Sequence, residues 1–467
     1  STAYQTDKRI QLLDQSPVQS TNLVETSNCF MMKPGTNICF NPYKHEAKMN
    51  GYNVPLSGWN THLTDGSTLA DNKKITDVKV VWQTKDDATS GDLVMGYAIS
   101  GDDHSNLARI TDGGDLQKAR IHVKVPVSKG GNALIAAYSG SKIVWSWHLW
   151  ITDYVPQGIT SSVTYAQAQQ MTQNGSVHQY ATTAFKSGGT HVGKVIMDRN
   201  LCATAGGFPG ENASLLEFAR RIGYLYYWGR KDPFPSAPSL TGNEKTQPVP
   251  VYGPDGAEVK ITYSLWSSVE NNTIEYSIAN PTKCLSNYAQ YNTSRDWLKA
   301  SDSNDALWGN PKGGERNSDN NYVNKGSKSF YDPCPVGYRV PPADVFRTFT
   351  TTGGYTQDPS SFDVVDVNGD GVIDTRDYNY GWSFNMKEGS LFFPAAARYD
   401  GSYAMLMGSK SGLWGSYWGN SPAKSYGATT GFGFCVLAFM NEAAGTSVSA
   451  TASAGRADAY SIRCVKE

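Results

Sequence analysis

Net charge is nearly absent from this chain. Its 41 Lys and Arg are balanced by 42 Asp and Glu, leaving a formal charge of -1, and only 18% of residues are charged. That excludes electrostatic capture of nucleic acid or of an anionic membrane face. Long apolar runs are also missing. Stretches such as GFGFCVLAFM (residues 431–440) fall short of the roughly 20 residues a spanning helix needs, so no membrane-spanning segment is expected. Histidine is absent from the second half: His45, His62, His104, His122, His148, His178 and His191 all precede residue 192. Read along the chain, this excludes histidine acid–base chemistry, Ser–His or Cys–His nucleophiles and His-bearing zinc sites from that half. The chain begins at Ser1 without a charged-then-apolar leader, so an export signal or lipid-bearing N-terminus is expected to have been removed or to lie outside this sequence.

Glycine and aromatics are what the chain has in plenty, with 46 Gly, 27 Tyr and 12 Trp in 467 residues. This length implies two to four domains with full cores, and the composition suits a loop-rich, strand-rich extracellular protein. Seven cysteines (29, 39, 202, 284, 334, 435 and 464) leave at least one unpaired. Cys334 sits between two prolines in KSFYDPCPVGYRVP, and Cys464 follows an alternating strand in the terminal ADAYSIRCVKE. A bridge between them would tie the last strand to a point about 130 residues earlier. In the chain-entropy account such a closure stabilises by roughly 4 to 5 kcal/mol, and it belongs to exported proteins. The pairing of the other five is open.

Residues 1–27 are polar and patternless and are expected to form an arm. From residue 28 the period becomes two. Val78, Val80 and Trp82 alternate with Lys79 and Gln83, and Ile121, Val123, Val125 and Val127 alternate with His122, Lys124 and Pro126. Residues 132–151 read as two strands about a Ser-Gly-Ser turn, with Trp145, Trp147, Leu149 and Ile151 on one side; His122 and His148 then fall on outward faces. A β-sandwich is expected over residues 28–156, followed by a polar linker over 157–190. The second half, 191–467, is mixed. Asn212 is expected to cap a short helix burying Leu215, Phe218, Ala219 and Ile222, and Pro342 to begin another burying Val345, Phe346 and Phe349. Long loops such as 301–327 separate its strands. The expected fold class is β-rich α+β.

One loop carries sharp chemistry. Residues 366–377, DVNGDGVIDTRD, place oxygen donors at loop positions 1, 3, 5, 9 and 12, glycine at 6 and an apolar residue at 8. That is an EF-hand-type Ca2+ loop. Asp366, Asn368 and Asp370 would supply side-chain oxygens, Val372 its carbonyl, Asp374 a direct or water-mediated contact, and Asp377 the closing carboxylate. The aromatic stretch YNYGWSF that follows argues for a structural ion over a helix-coupled switch. An uncoordinated Asp-Gly turn is the plainer alternative, weakened because carboxylates this close repel without a cation.

Trp414, Tyr417 and Trp418 in GLWGSYWGN sit among glycines, where exposed rings would stack on sugar faces, with Tyr399 and Tyr403 nearby. The competing reading is that these rings, like Trp228 and Arg230 in YLYYWGRKDPF, are core anchors. No pair of carboxylates is spaced as an acid and a nucleophile for glycoside hydrolysis, so no enzyme is expected.

Seven blocks in order, VIMDRNL, YLYYWGRKDPF, LWGNP, YDPCPVGYRVP, LFFPAAARYDGS, GSYWGN and YSIRCVKE, resemble the so-called major paralogous (FISUMP) domain of Bacteroidetes surface proteins. WSWHLWITDY (residues 145–154) resembles a segment that often precedes that domain in surface lipoproteins and fimbrial tip proteins. The resemblance implies a C-type lectin-like second domain over 191–467, a bacterial cell-surface location and a role as an adhesin. The EPN or QPD triplet of calcium-dependent lectins is absent, and the cysteine pair of formylglycine-generating enzymes has no counterpart. The resulting expectation is a fimbrial tip-type binding protein, with a calcium-ordered domain recognising a surface glycan or protein. Its alternatives are a pilus subunit that joins other subunits by strand addition of residues 1–27, and a glycan-processing enzyme.

Overall fold

The computed structural model describes residues 17–47, 71–86, 91–99, 104–158, 167, 170, 178–181, 194–237, 248–264, 271–286, 296–310, 326–386, 389–401, 405–407, 411–422, 428–435 and 446–467. The fold is β-rich. Among the described residues up to 151 lie seven strands: β1 (Cys29–Met32), β2 (Asn37–Phe40), β3 (Asp77–Gln83), β4 (Ala108–Thr111), β5 (Arg120–Lys124), β6 (Gly131–Ser139) and β7 (Lys142–Ile151). The alternation in residues 132–151 produces the β6–β7 hairpin, its turn at Gly140 with φ +62. One sheet runs β1-β7-β6-β3 and continues into Val251–Tyr252 and Glu258–Val259; β2-β5-β4 form a second.

The expected boundary at 157–190 does not divide the core. Most of that segment lies outside the described residues, but strands from the second half extend the first half's sheet. One buried cluster runs from Cys29 through Trp82, Trp145 and Trp150 to Tyr226, Trp308 and Cys464. The physical reason is β7. Trp145, Trp147 and Leu149 are buried on one face and Ser146, His148 and Trp150 on the other, so this strand is covered on both sides. Residues 17–27 are not a free arm. Residues 1–16 are outside the described set, while Val18 N–H donates to Ser105 O (2.8 Å) and Val24 N–H to Cys39 O (2.9 Å), which sews 17–27 onto the body.

In the second half, α1 (Leu215–Ala219) is capped by Ser214, whose hydroxyl accepts from Glu217 N–H, two residues beyond the expected Asn212. α2 spans Ile274–Ala279. The helix expected after Pro342 is a 3-10 turn, Ala343–Phe349, burying Val345, Phe346 and Phe349 as anticipated. Gln179–Ala181, Val195–Met197, Tyr338–Arg339 and Val465–Lys466 make one four-stranded sheet. Three of the seven blocks, VIMDRNL, YDPCPVGYRVP and YSIRCVKE, thus share it. Tyr355–Thr356, Ser447–Gly455, Ala428–Cys435 and Trp414–Pro422 form another, which packs on the 3-10 turn. No described helix is long and apolar enough to cross a membrane.

Candidate functional site

Cys334 and Cys464 form a disulfide, as expected from their contexts. Around Cys334 the sequence builds a knot of buried charge. Asp332 accepts from Cys334 N–H (2.8 Å) and Val340 N–H (2.9 Å), and Glu46 from the first half accepts from Gly337 N–H (3.0 Å). Between the two carboxylates lies the buried Lys328 ammonium, 3.3 Å from each, which also donates to Cys334 O at 2.7 Å. Burial pushes both carboxyls up, opposed chiefly by Lys328. This is scaffold chemistry: both carboxylates face the one ammonium, and Asp332 accepts from two main-chain N–H groups.

The loop of residues 366–377 winds around its own oxygens. Asp366 accepts from Gly369 N–H (2.8 Å) and Gly371 N–H (2.7 Å), Asn368 from Asp370 N–H (2.9 Å) and Asp370 from Val372 N–H (2.9 Å). Gly369 and Gly371 have φ of +71 and +80, which a side chain would strain. Asp377 is buried and accepts from Val367 N–H (2.8 Å) and Asp374 N–H (3.0 Å), forming a capping box with Asp374. Asp366, Asn368, Asp370, the Val372 carbonyl, Asp374 and Asp377 are an all-oxygen donor set around a glycine turn, which fits a hard cation such as Ca2+. The loop also carries a cation of its own. Arg376 lies 2.7 Å from both Asp370 and Asp374.

The aromatic platform is corrected. Tyr417 and Trp418 are fully buried, and Trp414 is half-buried beneath the Arg398 guanidinium, 5.0 Å from its ring centre. Trp418 stacks on Tyr460 at 4.1 Å, and the Tyr417 hydroxyl donates to Pro394 O at 2.7 Å. The Trp418 indole N–H also donates to Tyr226 O, so both rings are held inside the body. Tyr399 is likewise buried, its hydroxyl donating to Pro235 O, while Tyr403 lies outside the described residues. Trp228 is enclosed too, and Arg230 packs over Phe234 at 4.8 Å while donating to Lys283 O (2.7 Å). Trp414, Tyr417 and Trp418 therefore offer no sugar platform.

His122 and His148 are corrected as well: both are buried, not outward-facing. His148 meets a residue from the other half of the chain. Its Nδ1 lies 4.0 Å from the Cys202 sulfur, its Nε2 is 2.8 Å from Asn132 Oδ1, and Asn132 Nδ2 donates to Cys202 O at 2.9 Å. The Tyr226 hydroxyl is 3.1 Å from the same sulfur. Beside this group opens a cavity of about 220 Å3 whose walls include Thr84, Asn132, Cys202, Leu216, Ala219 and Tyr224. The absence of histidine beyond residue 191 concealed this, because the imidazole comes from β7. The only signal in the sequence was a cysteine in a short polar turn, DRNLCATAGG.

Among the described residues no group of three or more His, Cys, Asp or Glu side chains is gathered as a metal site; since calcium loops also use amide and main-chain oxygens, this does not bear on residues 366–377. No protein-family model, curated protein or solved structure matches this chain.

Proposed function

We propose that this protein is an exported, bacterial surface binding protein of the fimbrial tip type. In this reading its second half is a lectin-like module that recognises a glycan or protein ligand through the face carrying a Ca2+-ordered loop, residues 366–377. The observation that carries the reading is the Cys334–Cys464 disulfide, because a bridge of this kind persists in an oxidising compartment outside the cytosol. Calcium supports it through the oxygen donor set of that loop: millimolar extracellular Ca2+ would neutralise the carboxylates and fix their positions. Val372, more than half exposed at the tip, gives that face an apolar contact point.

Glycan arrays and cell-surface protein pulldowns run with calcium and with chelator test the proposal. The expected result is a ligand retained with calcium, released by chelator and lost in an Asp366→Asn, Asp370→Asn variant. Binding indifferent to chelator and to that variant would remove the loop from recognition, and reduced Cys334 and Cys464 in protein recovered from the native cell would remove the exported location.

A further inference from the structure

We propose that Cys202, His148 and Asn132 form a nucleophilic thiol site that accepts a short apolar acyl group from an ester or thioester bound in the adjoining cavity. This does not rest on the ligand reading above and uses a different part of the molecule. The hydrogen bonds fix the proton positions. Cys202 O can only accept, so Asn132 must turn its Nδ2 toward it, which leaves Oδ1 facing His148. His148 Nε2 therefore carries the proton, and the lone pair of Nδ1 faces the sulfur. That is the arrangement a cysteine nucleophile and its base require, with a third group orienting the base.

Two further observations point into the cavity. Tyr224, a wall residue only 5% exposed, has a hydroxyl without a hydrogen-bond partner in the protein. A buried, unmatched hydroxyl at a cavity wall is what a carbonyl oxygen of a ligand would satisfy. Cys202 also occupies a turn closed by Ala203 N–H to Asn200 O (3.0 Å), at φ +74, where glycine is the usual occupant. Gly223 packs against this turn so tightly that an added Cβ would lie 2.4 Å from Leu201 O. The remaining lining is largely small and apolar, Ala203, Ala219, Ala237, Leu216 and Val249, and a cavity of about 150 Å3 already holds a benzene-sized molecule.

The step balances within these groups. The sulfur attacks the carbonyl carbon, the thiol proton passes to His148 Nδ1, and the bond to the leaving oxygen or sulfur breaks as that atom takes the proton. A thioester on Cys202 and a free alcohol or thiol result; water then returns the acid and the thiol. Burial pushes the Cys202 thiol well up and the His148 imidazole down to about 3. The resting pair is thus uncharged, and neither partner titrates between pH 6 and 8. The other titratable groups around it are Cys29, the register partner of His148 on β1, Tyr224 and Tyr226, with Lys85 and Arg220 at the cavity wall.

The test is reaction of the folded protein with p-nitrophenyl butyrate, followed by release of nitrophenolate, intact mass and peptide mapping. One butyryl group on Cys202 is expected, at a rate that stays flat between pH 6 and 8. His148→Gln is expected to slow it at least 100-fold and to make the residual rate climb tenfold per pH unit, as for an unassisted thiol. Acylation of Cys202 no faster than of Cys29, Cys39 or Cys284, or only once urea has unfolded the protein, would overturn the proposal. So would a wild-type rate that climbs tenfold per pH unit. Mapping and pH profile use the unaltered chain, so they decide the matter even if His148→Gln fails to fold.

Discussion

Two carboxylate clusters, one joining Glu46 to residues 328–340 and the other confined to residues 366–377, have opposite characters. In the knot around Cys334, the buried Asp332 and the mostly enclosed Glu46 share the buried Lys328, and a disulfide holds the strand beside them. In residues 366–377, Asp366 and Asp370 remain near the surface, and the nearest cation, Arg376, is 60% exposed. The first cluster carries its cation inside and can only be broken. The second has Asp366, Asp370 and Asp374 open to a cation from solvent and can be tuned. Burial decides between structural and responsive chemistry, because an unmatched charge is costly inside and cheap at the surface.

The largest effects therefore belong to the knot. Replacing Cys334 and Cys464 by alanine opens a long closed loop and is expected to lower stability by about 5 kcal/mol, read from urea unfolding. A loss below about 1 kcal/mol would mean that the surrounding charge pairs, not the closure, hold the strand. Lys328→Met leaves two buried carboxylates without their cation and is expected to lower stability by about 3 to 5 kcal/mol; adding Asp332→Asn should return part of that loss in a double-mutant cycle. Full additivity of the two would show that the carboxylates and the ammonium do not act as one unit.

How much of this the sequence disclosed follows the same division. Local grammar was legible. The proline-flanked Cys334, the alternation on either side of Ser-Gly-Ser, and the oxygen spacing of 366–377 each speak through near neighbours. What depended on the two halves meeting was not. Alternation along β7 implied one open face and an outward His148, but the turn carrying Cys202 and Ala203, with Lys231 and Asp232, closes over that face. Tyr417 and Trp418 read either as a platform or as core anchors, and their neighbours in the chain did not decide between the two; both are enclosed. Lys328 and Glu46 lie far apart in sequence, so nothing local announced that one would neutralise the other.

Calcium comes next in size. At a free concentration one hundred times its dissociation constant, the ion is expected to stabilise the protein by about 2.7 kcal/mol, seen as a rise in Tm that chelator reverses. Asp366→Asn with Asp370→Asn should abolish the rise while leaving the effect of Lys328→Met unchanged. If calcium instead rescued Lys328→Met, the two clusters would not be separate.

Acid also reaches two histidines inside the protein. Burial depresses His148 to about 3, and burial with the nearby Lys328 charge does the same for His45, so the unfolded chain binds protons near 6.5 that the folded chain refuses. The stability these histidines contribute is present above pH 6.5 and is lost as pH falls toward 3, by about 2 kcal/mol each at pH 5. Glu46 and Asp332, raised by burial, oppose this: the folded state holds their protons more tightly, so their contribution declines as pH rises through their ordinary range. His45→Gln and His148→Gln should each flatten the acid side of a urea-midpoint profile, and an unchanged slope would mean that these imidazoles gain protons without unfolding.

The smallest expected change is the one that reads the surface loop most directly. Arg376 holds Asp370 and Asp374 through contacts of 2.7 Å to each, and these are two of the oxygens a calcium ion would take. An ion entering the loop must compete with the guanidinium, whereas the buried Lys328 has no competitor from solvent. Arg376→Gln should therefore tighten calcium binding severalfold in a titration while leaving the ion-free unfolding curve almost in place, because an exposed pair contributes little to the fold. Weaker calcium binding in that variant would mean that Arg376 organises the donors instead of occupying them, and the loop would then resemble the knot in carrying its own cation as a structural part.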